Sequence, residues 1–139
     1  DSWFGDETAS NYYGEYGNAF AGQLPAPIEF ESYLFPEEDE DDFVLFMIGG
    51  YLFSFFDVGH HVSISNIPTG TTVTVRVDYY NESGQFVNTV ADETLQAGES
   101  SLQFEYEADD SGYYNFRVIS VSGQSCDTPY LLSIEYRLL

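Results

Sequence analysis

Lysine is absent from this sequence and arginine nearly so: Arg76, Arg117 and Arg137 stand against 24 aspartates and glutamates. The net charge of −21 excludes nucleic acid as a natural partner, because a phosphate backbone rewards cations. Anionic membrane surfaces are disfavoured for the same reason. A divalent cation, high salt or a need for mutually repelling soluble surfaces suits such a chain better. A single cysteine, Cys126, rules out an internal disulfide. The longest apolar run, residues 43–56, is too short to cross a bilayer and is broken by Gly49 and Gly50, so it reads as a pair of strands, not a membrane insertion. The chain opens at Asp1 with no basic leader segment, which we read as an exported product whose signal peptide has been removed.

Alternation with a period of two runs through the C-terminal hundred residues. Tyr114, Phe116 and Val118 fall on one side of a strand, with Tyr113, Asn115 and Arg117 on the other. Asp109, Asp110, Ser111 and Gly112 form the turn that leads into it. Residues 129–136 make a second such strand. Val73, Val75, Val77 and Tyr79 alternate with Thr72, Thr74, Arg76 and Asp78, and the turn Asn81-Glu82-Ser83-Gly84 leads on to a strand over 85–90. Asp92 and Glu93 read as turn residues. Leu102, Phe104 and Tyr106 point inward from a strand over 101–107, and Val62 and Ile64 from one over 60–67. The runs 43–48 and 51–58 are apolar enough to be covered on both faces. Seven or eight strands with no helical period give an all-β, antiparallel, jelly-roll-like β-sandwich.

Residues 1–42 differ from the rest. They hold twelve of the 24 carboxylates and no arginine, yet carry Trp3, Phe4, Tyr12, Tyr13, Tyr16 and Phe20. Gln23-Leu24-Pro25-Ala26-Pro27 reads as an extended linker. Ile28 and Phe30 then alternate with Glu29 and Glu31 in a short strand-like stretch. The acidic run Glu37 to Asp42 marks the expected boundary between an N-terminal arm, 1–42, and a sandwich domain, 43–139. An arm this acidic would stay unfolded, but its aromatics imply that it docks somewhere.

The run Tyr51-Leu-Phe-Ser-Phe-Phe-Asp-Val-Gly-His-His-Val-Ser-Ile, the strand and turn over 73–84, Ser111-Gly-Tyr-Tyr-Asn-Phe-Arg-Val and Pro129-Tyr-Leu-Leu-Ser-Ile together resemble the bacterial pre-peptidase C-terminal domain. The resemblance covers residues 43–138. It implies a small, exported, non-catalytic sandwich, usually an accessory to a secreted enzyme. Some relatives bind collagen and hold calcium near the N-terminal linker. This chain departs from that pattern in carrying a long aromatic and acidic arm and no accompanying enzyme.

Few residues point to chemistry. Asp39, Asp41 and Asp42 would offer oxygen ligands to Ca²⁺, although a solvated linker explains the same run and the spacing is not that of an EF-hand. His60 and His61 are neighbours on a strand and point to opposite faces, so they do not share a metal and read as structural or surface residues. Carboxylates are too abundant for any pair to signal glycoside hydrolysis, and no nucleophile elbow or phosphate loop occurs, so we expect no enzyme. Asn81-Glu82-Ser83 is the only N-glycosylation acceptor pattern, on a predicted hairpin tip where a plain turn asparagine would also serve.

Two functional expectations follow. The first is an extracellular structural subunit that polymerises with copies of itself. Its arm, through Trp3, Phe4, Tyr12, Tyr13, Tyr16, Phe20, Ile28 and Phe30, would add a strand to a neighbouring protomer. The second is a secreted module that binds polysaccharide, glycan or a matrix protein, with exposed tyrosines stacking on sugar rings.

Overall fold

The computed structural model describes residues 12–13, 27–34, 40–47, 58–96, 98–108, 111–123 and 125–138. Valine, isoleucine, tyrosine and phenylalanine in alternation favour strands over helices, and the described residues form nine of them. They are β1 (Tyr12–Tyr13), β2 (Ile28–Leu34), β3 (Glu40–Met47), β4 (Val58–Ser65), β5 (Thr72–Tyr80), β6 (Phe86–Leu95), β7 (Leu102–Glu107), β8 (Gly112–Ser122) and β9 (Ser125–Leu138). Two sheets pack as a β-sandwich, one in the order β1-β3-β8-β5-β6 and the other β2-β9-β4-β7. All pairings are antiparallel except β1 with β3, which is parallel.

The core lies between the sheets, where the alternating apolar sides face each other. Val73, Val75 and Val77 of β5 and Phe116 and Val118 of β8 meet Val62 and Ile64 of β4 and Leu132 and Ile134 of β9. β8 is central to its sheet, paired with β3 on one side and β5 on the other; β9 holds the same position between β2 and β4. Each therefore shares both of its backbone ladders and is covered by the opposite sheet.

The structure moves the expected boundary of the sandwich. β2 pairs with β9 along Ile28–Leu34, and β3 begins at Glu40, inside the acidic run. Ile28 and Phe30 are buried in the chain's own core, with Phe30 stacked on Phe43 at 4.7 Å across the two sheets. The expectation that they serve a neighbouring protomer is corrected to this extent: both side chains are spent in this chain's own core. The four-residue alternation was the right signal, and pairing with β9 is where it is satisfied. Asp92 and Glu93 also fall differently: they lie within β6, opposite Arg76 and Val75, because β6 continues five residues beyond Val90 to Leu95. β4 begins at Val58, so Gly59 sits inside that strand and not ahead of it. Phe43, Val44 and Leu45 are buried on both faces, as their run of apolar side chains implies.

Candidate functional site

The five-stranded sheet carries two features on which a function can be built: its β3 edge and its outer face. At the edge, Tyr12 and Tyr13 pair with Leu45 and Phe46 in parallel register. The two tyrosines belong to the arm, and residues 14–27 separate them from β2. An edge strand presents unpaired N–H and C=O groups, so it accepts any extended segment that comes alongside. Trp3, Phe4, Tyr16, Phe20 and Asp39 lie outside the described residues, as do the turn residues Asp109 and Asp110 and all of the expected strand over 51–58 except Val58, which opens β4.

On the outer face the register sets Asp42 opposite Arg117, and Arg117 opposite Arg76. The Arg117 Nε and Nη2 donate to the two oxygens of Glu40 at 3.1 and 2.9 Å, and Nη1 donates to Asp78 Oδ2 at 3.2 Å. Asp42 Oδ1 stands 3.8 Å from Nε. Asp78 accepts a further bond from the Thr89 hydroxyl at 2.7 Å through its other oxygen. One guanidinium thus ties β3, β8 and β5 together, with Thr89 of β6 holding the far side. Burial pushes the Glu40 carboxyl up, but the hydrogen bonds and charge of Arg117 prevail and its pKa is lowered. The Arg117 guanidinium is raised, first through its bonds to Glu40.

Asn115 is the surprise on this face. It points away from the core, yet it is only 2 % exposed, and Asp42, Val44 and Asp78 beside it are buried too. Its Oδ1 has no hydrogen-bond partner among the described residues. A period of two assigns the face correctly but says nothing about what covers it.

The calcium expectation meets a geometric obstacle. Asp41 and Asp42 are consecutive on β3 and point to opposite faces. Asp41 is buried in the core and accepts a hydrogen bond of 2.5 Å from the Tyr130 hydroxyl of the opposite sheet. Asp42 faces Arg117. The two carboxylates do not converge on one cation. Among the described residues no group of three or more His, Cys, Asp or Glu stands together in a way that would hold a metal.

His60 and His61 part in the same way. His61 lies outside, 3.6 Å from Glu105, which Arg137 also approaches at 3.6 Å. His60 is wholly buried, edge-on to Tyr106, Tyr114 and Tyr136 at 4.9–5.3 Å. Its Nδ1 shares a hydrogen bond of 2.7 Å with the Tyr106 hydroxyl, and its Nε2 has no partner among the described residues. Burial lowers the imidazole pKa to about 3 and raises that of the Tyr106 phenol well above its usual value. Both groups are neutral at pH 7. The ring fills the core as an aromatic would, a role that the sequence alone left open between core and surface.

Asn81 occupies the β5–β6 hairpin, immediately after Tyr80, where the acceptor pattern placed it. Its Oδ1 accepts the backbone N–H groups of Ser83 and Gln85, each at 3.0 Å, and its Nδ2 donates to Gln85 Oε1 at 3.1 Å. These side-chain bonds add to the two backbone bonds of the turn, from Asn81 N–H to the Gln85 carbonyl and from Gly84 N–H to the Asn81 carbonyl, each at 2.9 Å.

No family model matches the chain, and no curated protein matches it. Solved structures do share its fold. A protein from Sulfurospirillum deleyianum superposes with a TM-score of 0.55 at 9% identity, over 82% of this chain and 99% of that one. CorA, a surface-associated copper-binding protein of Methylomicrobium album BG8 important in copper acquisition, gives 0.53 at 7% identity, over 93% of this chain and 98% of its own. At such identities the likeness is one of fold.

Proposed function

We propose that this chain is a non-catalytic extracellular structural subunit, and that the arm of one copy completes the five-stranded sheet of the next. The pairing of Tyr12 and Tyr13 with the β3 edge carries this reading. A short strand on a sheet edge, fourteen residues from the next strand in sequence, is the kind of element that copies of a protein exchange. Residues 14–27, at up to about 3.3–3.6 Å each, reach on the order of 45 Å, enough to meet a neighbouring protomer. Donor and acceptor surfaces differ, so the contact is head-to-tail and grows a filament unless rotation closes it into a ring. The exchanged segment ends before Ile28, because β2 is part of the chain's own sandwich. A net charge of −21 keeps finished polymers apart. The resemblance to exported accessory sandwiches fits an extracellular setting.

Deletion of residues 1–22 tests the reading, with sedimentation and electron microscopy as readouts. Full-length protein should polymerise with concentration, and the truncated chain should sediment as a folded monomer. Polymers that persist without the arm, or a full-length chain that stays monomeric at high concentration, would overturn it. The second outcome, joined to measurable affinity for a polysaccharide or matrix protein, would favour a secreted binding module instead.

A further inference from the structure

β6 forms the opposite edge of the five-stranded sheet from β1. It is long, running over Phe86–Leu95, and its first residues are apolar and open: Phe86 is 57 % exposed and Val87 50 %. An open edge of this kind invites unwanted strand pairing, which natural proteins suppress with a cover or a charge. Its first five residues, Phe86 to Val90, carry no charge. What stands beside them is the turn Asn81-Glu82-Ser83, the acceptor pattern for N-linked glycans.

We infer that Asn81 carries an N-linked glycan and that this glycan covers the open end of β6. The geometry suits the modification. Glu82 and Ser83 are exposed, and the asparagine stands outside both strands. Its Oδ1, which holds the turn through Ser83 and Gln85, takes no part in the new bond. Nδ2 has two hydrogens and directs a hydrogen bond to Gln85 Oε1, so one hydrogen can leave while the other keeps that bond. In the transfer, Nδ2 forms a bond to the anomeric carbon of a lipid-diphosphate-linked saccharide. The carbon–oxygen bond to the diphosphate breaks, its electron pair leaves with the lipid diphosphate, and the displaced Nδ2 proton passes to a base of the transferring enzyme. The hairpin is unchanged, and a bulky, hydrated group stands beside Phe86 and Val87. This site lies across the sheet from the β3 edge and does not depend on the exchange of the arm.

The test is mass spectrometry of full-length protein from the cells that make it. Trypsin should release the fragment between Arg76 and Arg117, which contains Asn81, at a mass above its sequence by whole sugar residues. Ser83→Ala should return it to the sequence mass, whereas Ser83→Thr, which preserves the acceptor pattern, should keep the added mass. A bare fragment from the unmutated protein, or added mass that survives Ser83→Ala, overturns the site. For the covering role, the Ser83→Ala protein, shown by its melting temperature to be folded, should scatter light roughly twofold more or higher at matched concentration. Equal scattering from glycosylated and bare protein overturns that role.

Discussion

His60 and Arg117 show how single residues set this protein's response to pH. A histidine whose folded pKa is about 3 binds its proton more readily in the unfolded chain, where the usual value is 6.5. Its contribution to stability is whole above pH 6.5 and is lost progressively as pH falls toward 3. The loss approaches about 1.4 kcal/mol per pH unit. Protonation of the many surface carboxylates relieves repulsion below about pH 5 and opposes this loss. The comparison that isolates the histidine is therefore with His60→Phe, which keeps the ring's bulk without the titration. Denaturant unfolding of both proteins at pH 7.0 and 5.5 should show the parent losing about 1 kcal/mol or more relative to the variant. A constant difference across that range would mean that His60 titrates normally. Arg117 works through charge. Arg117→Met would leave Glu40, Asp42 and Asp78 facing one another without their cation, two of them buried. Urea unfolding should register a loss of about 3–5 kcal/mol at pH 7, shrinking as pH drops and Glu40, whose pKa Arg117 holds down, accepts its proton.

Among the elements, β8 is the one that the others are ordered by, and Gly112 starts it. At φ +146° the backbone is in a region that L side chains rarely adopt, and an added Cβ would stand 2.2 Å from the Tyr80 carbonyl oxygen. That oxygen belongs to β5, the neighbouring strand, so it has little freedom to yield. Gly112→Ala should cost about 2–4 kcal/mol in unfolding experiments, with faster amide exchange at the paired ends of β5 and β8. A loss no larger than that of an ordinary surface substitution would mean that the turn re-forms around the methyl group. The alternation in 114–118 was enough to define this strand's faces. It did not reveal that Asn115 is buried on the outer one, since a period reports direction and not cover.

For the whole molecule, charge is the dominant fact. Repulsion among 24 carboxylates opposes compactness, and salt shortens its range to about 10 Å at 0.1 M. The melting temperature should rise steadily with NaCl from low ionic strength to roughly 0.5 M, where the screening length falls to several ångströms. Calorimetry that finds no such rise would show that the carboxylates are already neutralised in the folded state. If the proposed exchange of the arm operates, polymer formation should follow the same trend, since each added protomer would bring the same sign of charge.

The all-β sandwich was legible in the sequence, because alternating β-branched and aromatic residues bury one side of each strand against a facing sheet. The sequence also marked the hairpin at Asn81, whose turn residues act locally. Contacts between distant segments were legible in the folded chain alone. Ile28 and Phe30 belong to this chain's own core because β9 lies alongside β2. Asp41 and Asp42 serve different partners because adjacent strand residues face opposite ways, one toward Tyr130 and the other toward Arg117. The ion-pair cluster on three strands, and the His60 ring within its tyrosines, bring together residues up to 77 positions apart. Such meetings arise from strand order and register, which local patterning does not encode.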